Sequence, residues 1–260
     1  MGKIIAVTNQ KGGVGKTTTA VNLSASLQAI KRKVLMVDLD PQGNATMGSG
    51  VDKNKLQRST YDVLVGACKA NKAIISLEVP GYDLMPANGD LTAAEVELLN
   101  IERKEFRLRD ALEPVVEHYD YVIIDCPPSL SMLTVNAMVA SQSVIIPMQC
   151  EYYALEGLTA LVKTISGISE QLNPELKIEG LLRTMYDSRN SLSKDVSEQL
   201  IQYFGKQVYD TVIPRNVRLA EAPSYGIPAL VYDKNSRGAM AYLALAGEML
   251  RKSRKASCYG

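Results

Sequence analysis

Apolar residues gather along this 260-residue chain in short continuous blocks rather than in alternation. "KIIAVTN" (3–9), "KVLMVDLD" (33–40), "YVIIDCPP" (121–128), "SVIIPM" (143–148), "KIEGLLRTM" (177–185) and "VYDTVIP" (208–214) are rich in β-branched residues. Such runs predict strands buried on both faces, as in a parallel sheet. Between them, helical spacing predicts helices over 16–30, 92–117, 155–172, 192–204 and 239–252. Strand–helix alternation of this kind predicts an α/β, doubly wound, mostly parallel sheet flanked by helices. The more polar stretch 48–90 predicts surface helices and one strand at "GYDLMP" (81–86). With no internal repeat and no low-complexity linker, one domain is expected over 1–252, followed by a basic flexible tail at 253–260.

Composition narrows the class. Hydrophobic residues make up 46% and charged residues 22%, ordinary for a globular chain long enough to bury a core without staples. No run approaches the ~18 apolar residues of a membrane span. The apolar start feeds directly into a glycine loop, so it reads as a strand rather than a secretory signal. Met1-Gly2 could open a myristoylation motif, but the sixth residue is Ala6 rather than Ser or Thr. Four cysteines without a C-x-x-C pair argue against zinc or a disulfide framework and fit a reducing cytosol. A single histidine, His118, makes histidine-based catalysis or metal binding a poor fit, and it reads as a helix-end or loop residue. Net charge is only +1, yet residues 177–260 carry 13 Lys and Arg against 8 Asp and Glu. That excess permits a basic patch in the C-terminal third.

The chemistry concentrates at "QKGGVGKTTT" (10–19), where the first predicted strand meets the first predicted helix. Gly12, Gly13 and Gly15 let successive backbone N–H groups turn toward one centre, and the helix N-terminus adds its dipole. Lys16 is placed to reach β- and γ-phosphates, and the Thr17 hydroxyl to ligate Mg²⁺. The strict pattern G-x-x-x-x-G-K-[ST] nevertheless fails, because its first glycine falls on Gln10. Lys11 is surplus to it, and two lysines on one short loop repel unless an anion lies between them.

Aspartates end two of the predicted strands. Asp38 and Asp40 close "VLMVDLD", and Asp125 closes "YVIID". Alone, each reads as a turn or helix-cap residue. Together with the loop they sit where open α/β sheets bind ligands. Asp125 fits the acidic element that holds Mg²⁺ through water, and Asp40 is suited to orient or deprotonate an attacking water. Asp38 is an alternative support for the magnesium shell.

These segments carry a family resemblance. "KGGVGKTT", "DLDPQGNAT" and "DYVIIDCPPSL" resemble the deviant Walker A, Walker A′ and Walker B motifs of the ParA/MinD ATPases. "TNQKGGVGKTTTAVNL", "TMYDSRNSL" and "VIPRNVRLAEAPSYGIPALVYDKNSRGA" narrow the resemblance to chromosomal, Soj-like ParA partition ATPases. It extends from residue 2 to about 250. It implies a homodimer formed on ATP, with two ATP molecules sandwiched between protomers. Lys11 would cross the interface to the other subunit's phosphates, and Gly12 would stay small where the partner's backbone approaches. Gly12, Gly13, Val14, Gly15, Lys16, Thr17 and Thr18 would cradle nucleotide. Asp40 and Asp125 would join Thr17 around the metal, and Lys11, Lys16 and Asp40 would be the catalytic group. Pro214 and Asn216 would lie near the adenine, on family analogy alone.

The resemblance also implies non-specific double-stranded DNA binding, through Arg189 and Arg218, with Arg215, Lys234, Arg237 and Lys206 as weaker candidates. A ParB-type centromere-binding protein would stimulate slow hydrolysis, and some relatives also act on a replication initiator. The expected location is cytoplasmic and nucleoid-associated. Three rivals are weighed against this reading. A MinD-like membrane ATPase needs an amphipathic C-terminal helix, whereas "AMAYLALAGEMLRKSRK" suits packing on the core and no membrane partner is expected. An iron–sulfur reductase needs cysteines bridging a dimer, and Cys126 has no matching second cysteine. An ATP-gated scaffold without turnover is the non-enzymatic alternative.

Overall fold

The computed structural model describes the backbone of residues 2–152 and 154–258. Seven strands form one sheet: β1 (Lys3–Val7), β2 (Val34–Asp38), β3 (Ile75–Ser76), β4 (Asp83–Met85), β5 (Tyr121–Asp125), β6 (Ser143–Gln149) and β7 (Lys177–Thr184). Their spatial order is β3-β4-β2-β5-β1-β6-β7. Every pairing is parallel except β3 with β4. The helices are α1 (Lys16–Ala29), α2 (Asn44–Gly48), α3 (Thr60–Leu64), α4 (Ala70–Ala73), α5 (Leu91–Glu97), α6 (Arg107–Leu112), α7 (Met132–Ala140), α8 (Ala154–Gln171), α9 (Ser191–Phe204), α10 (Val217–Glu221), α11 (Ala229–Tyr232) and α12 (Arg237–Cys258). This is the doubly wound, mostly parallel α/β sheet that the apolar blocks predict.

The continuous apolar runs have a simple cause. Successive strand residues face opposite sides, and both sides are covered. Ile4, Ala6, Leu35, Val37, Val122 and Ile124 pack into one core with α5 to α9. Ile5, Val7, Met36 and Ile123 pack into the other, beneath α1 and α12. A strand with two buried faces has no polar positions to alternate.

Three expectations change. Residues 208–214 are not a strand; only isolated bridges join Val208 to Leu181 and Pro214 to Tyr186. Between them the backbone is claimed by side chains. Asp210 and Thr211 donate their N–H groups to the Glu248 carboxylate, each at 2.9 Å. The Arg183 guanidinium donates to the carbonyls of Tyr209 and Asp210. The helix expected over 92–117 is broken into α5, α6 and short 3₁₀ turns. Arg103 takes a left-handed φ of 54° there, and the Asn136 amide caps the new start, accepting from Leu108 N and donating to the Lys104 carbonyl. Finally, α12 runs to Cys258, so the backbone of the expected tail continues a helix. Residues 259–260 lie outside the described residues.

Candidate functional site

Parallel strands place β1, β2, β5 and β6 with their C-terminal ends together. The β1 end launches the glycine loop into α1. Gly13 and Gly15 adopt φ of 74° and 87°, values a side chain would strain. Gly12 is different: its φ is not positive, and a Cβ there would meet nothing within 4 Å. Nothing inside the protomer requires glycine at that position.

The loop is braced from β6 and β7. The Asn9 amide donates to the Pro147 carbonyl at 2.8 Å and accepts from Lys11 N. The Thr184 hydroxyl donates to the Val14 carbonyl at 2.8 Å. Lys16 is buried, and its ammonium donates to the Lys11 carbonyl at 3.1 Å. Burial lowers its pKa, while Asp125, Cys126 and Asp40 pull it back up.

Register brings two carboxylates side by side. Asp38 on β2 pairs with Asp125 on β5, and both are fully buried. Asp38 accepts from Thr46 N at 2.8 Å, from the Thr46 hydroxyl at 2.7 Å and from Asp40 N at 3.1 Å. Burial still pushes its carboxyl up to about 6. Those bonds make Asp38 an anchor for the turn into α2. Asp125 has no such donors, and both of its oxygens are buried without a hydrogen-bond partner. Burial, then the neighbouring Asp38 charge, raises its pKa well above the carboxylate range; the Thr17 hydroxyl and Lys16 oppose this. Two orphaned carboxylate oxygens beside a hydroxyl suit a hard cation that keeps much of its water. The residues therefore fit magnesium. Among the described residues no cluster of three or more His, Cys, Asp or Glu could cage a metal alone, and such a cage is not what Mg²⁺ with phosphates needs.

A cleft of about 300 Å³ gathers Gly12, Gly13, Gly15, Lys16, Thr17, Thr18 and Asp40, with Gln42, Asn44, Pro128 and Met185. A second, of about 260 Å³, adjoins it through Gly15, Thr18 and Met185 and is walled by Ile213, Pro214, Asn216, Leu219 and Tyr242. The buried Asn216 Oδ1 there has no partner and is free to accept from an exocyclic amine. A polar chamber joined to a more apolar, more enclosed one suits a triphosphate and its base. A larger cleft, about 700 Å³, lies elsewhere, among α3, α4 and α6. It holds no glycine loop and no strand-end carboxylate, so the smaller pair is the candidate nucleotide site.

A family model described as an AAA domain matches residues 2–178. The Sporulation initiation inhibitor protein Soj of Bacillus subtilis is 55% identical over 96% of this chain and 98% of that one. The Chromosome partitioning protein ParA of Myxococcus xanthus is 51% identical over 97% and 89%. The chain belongs to the ParA/Soj family of ATPases. Among solved structures, a protein from Mycobacterium smegmatis described as cobyrinic acid a,c-diamide synthase, with bound ADP and magnesium, superposes with a TM-score of 0.86. It is 40% identical and covers 98% of this chain and 96% of its own.

In this ParA/Soj-family ATPase the expected loop residues line one cleft, with two exceptions. Val14 is buried beneath the loop and contributes its backbone. Lys11 lies outside the cleft lining and pairs with Glu151 at 2.5 Å, both side chains half exposed. Arg189 and Arg218 are exposed, but each is held by acids of the same chain. Arg189 makes a two-pronged pair with Asp187 at 3.0 and 2.8 Å. Arg218 pairs with Glu221 at 2.8 Å and Asp233 at 3.4 Å. The Tyr186–Pro214 bridge brings their two segments together, and Arg215 is near enough to help lower the Asp187 pKa. His118 is exposed at the end of a 3₁₀ turn. Cys126 is buried in the core, unlike a thiolate that bridges a cluster across a dimer. Tyr242, Leu245, Ala246 and Met249 of α12 pack into the core, and among the described residues no helix is long and apolar enough to cross a membrane.

Sequence reasoning missed Met185, Gln149 and Glu151. Met185 lines both clefts with a left-handed φ of 49°, and its sulfur accepts from the Gln149 amide at 2.6 Å. The one available signal was position: both 149 and 185 follow apolar strand blocks, as the aspartates do.

The Asp125 geometry makes a stability prediction. A carboxyl with a raised folded pKa binds its proton more tightly folded than unfolded. Its contribution is therefore favourable at acid pH and is lost as pH rises from near 4 through the raised value. Nucleotide-free Asp125→Asn should be more stable than wild type at pH 7, with the gap closing toward pH 4. Chemical denaturation across that range is the measurement; equal pH slopes for the two proteins would refute it.

Proposed function

We propose that this ATPase is a partition ATPase that dimerises on ATP, binds DNA without sequence preference as the dimer, and releases it on hydrolysis. One observation carries the reading: Lys11 is displaced from its own phosphate cleft and half exposed, while Lys16 occupies it. A second lysine beside a phosphate loop but outside its cleft is suited to a phosphate held by another copy. Gly12, open and unstrained, supports the same reading, since only an outside surface gives it a reason to be small.

In this scheme loop N–H groups and Lys16 hold the phosphates. Thr17 and Asp125 would hold magnesium, which would supply positive charge to offset that on the transferring phosphoryl group. Asp40 accepts from Gln42 N at 2.9 Å, which orients its carboxylate at the cleft wall for a water. Lys11 of the partner subunit adds charge stabilisation, as an arginine finger does. Pro214 and Asn216 meet the base. Arg189 and Arg218 meet phosphates, exchanging their acidic neighbours for DNA. A ParB-type protein stimulates turnover, and the protein works on the nucleoid in the cytoplasm. Partition is preferred to the synthase description of the Mycobacterium smegmatis neighbour because relatives with partition names share 45–51% of positions, against 40%.

The test is binding to a random-sequence duplex across a salt series without nucleotide, with ADP and with ATP. Only ATP should give tight binding, at least tenfold over ADP, falling steeply with salt. Gly12→Val should abolish that gain while still binding ATP. Arg218→Glu should dimerise normally but bind DNA at least tenfold more weakly. DNA binding that ignores nucleotide, or that survives Gly12→Val, would overturn the sandwich reading.

A further inference from the structure

We propose that Glu151 is a positioning residue: it holds Lys11 in cis on the free protomer and thereby sets how readily ATP drives dimerisation. This rests on the sandwich reading above. The pair joins Lys11 Nζ to Glu151 Oε2 at 2.5 Å across 140 positions of sequence. It is embedded in a braced region. Asn9 and Gln149 tie the early loop to the end of β6, the latter by donating to the Gly13 carbonyl at 3.4 Å. The turn carrying Glu151 is closed by Glu151 N donating to the Gln149 carbonyl and Ala154 N donating to the Glu151 carbonyl, each at 3.0 Å. The carboxylate is thus delivered to the lysine by the framework that shapes the loop.

One ammonium cannot serve Glu151 and a neighbour's phosphate with full strength. Dimerisation therefore exchanges the cis carboxylate for the phosphate in trans. The cis pair is half exposed, so holding it closed favours the free protomer by only about 1.5- to 5-fold. A symmetric dimer opens two such pairs, and the effects multiply to roughly 2- to 25-fold on the dimer constant. A latch of this size restrains ATP-free association without blocking the ATP-bound dimer.

The experiment is sedimentation of the full chain with a non-hydrolysable ATP analogue and magnesium, at low and high salt. Glu151→Gln should dimerise about 2- to 25-fold more tightly than wild type at low salt, with the gain shrinking as salt screens the pair. Nucleotide affinity at protomer-only concentrations should not change. Lys11→Ala combined with Glu151→Gln should behave as Lys11→Ala alone, because the carboxylate acts only through the lysine. Equal or weaker dimerisation by Glu151→Gln would overturn the latch; weaker association would mean that Glu151 itself contributes to the interface. Failure of wild type to dimerise at any concentration would instead overturn the sandwich reading, and the latch with it.

Discussion

Lys16→Ala is expected to lose ATP, with affinity falling about thirty-fold or more. The side chain is buried at the base of the phosphate cleft, and its ammonium rests on the Lys11 carbonyl, a contact that a phosphate group would replace. Its charge also offsets that of Asp125 in a site with three carboxylates. Removing it deletes one attraction to phosphate and leaves Asp38, Asp40 and Asp125 facing a polyanion with less to offset them. Truncating one member of a buried charge pair costs about 2–5 kcal/mol, or roughly thirty- to several-thousand-fold in affinity. Calorimetric titration with an ATP analogue and magnesium reads this directly. Lys11→Ala is the internal control: it lies outside the cleft, so protomer affinity should stay within about threefold of wild type, on the scale of an exposed pair. Equal losses from both variants would mean that the two lysines share one site and that their roles are not divided.

Much of this was legible in the sequence because the relevant signals are local. A doubly buried strand must be apolar at almost every position, so β1, β2, β5 and β6 announce themselves. A phosphate loop needs glycines at fixed spacing, and strand-end aspartates at Asp38, Asp40 and Asp125 mark the ligand-binding rim without any contact information. What was not legible depends on partners distant in the chain. Residues 208–214 have a strand's composition, yet Glu248 and Arg183 take their backbone groups, and nothing near 210 points to position 248. The break in 92–117 follows from Asn136 in the same way. Asp38 and Asp125 look equivalent as strand ends; only the three bonds to Asp38 and the orphaned oxygens of Asp125 tell the anchor from the candidate metal ligand. The charge excess in the C-terminal third was readable, but not that Asp187, Glu221 and Asp233 are spent on Arg189 and Arg218. Net charge measures an excess, not its availability.

Asp40→Ala should separate binding from turnover. Asp40 lies at the cleft wall opposite the loop, and its one fixed partner is Gln42 N, which takes Oδ1. In the proposed scheme Oδ2 is therefore the atom left to hold a water. Unlike Asp38, it is not consumed by the turn, so the substitution should leave the fold and the phosphate cradle intact. ATP affinity should stay near wild type, or rise as one negative charge leaves the cleft. Loss of a positioned base costs about 10²–10⁴ in rate, and phosphate release should fall within that range. In the proposed cycle an ATP-bound dimer that cannot hydrolyse has no step by which to release DNA, so the variant should remain on a duplex long after wild type has dissociated. Asp38→Ala gives the contrasting outcome: removing three hydrogen bonds from a buried turn should lower thermal stability and disturb ATP binding and turnover together. If Asp40→Ala hydrolyses ATP at the wild-type rate, the attacking water is oriented by another group on the cleft wall, with Asn44 and Gln42 the remaining polar candidates there.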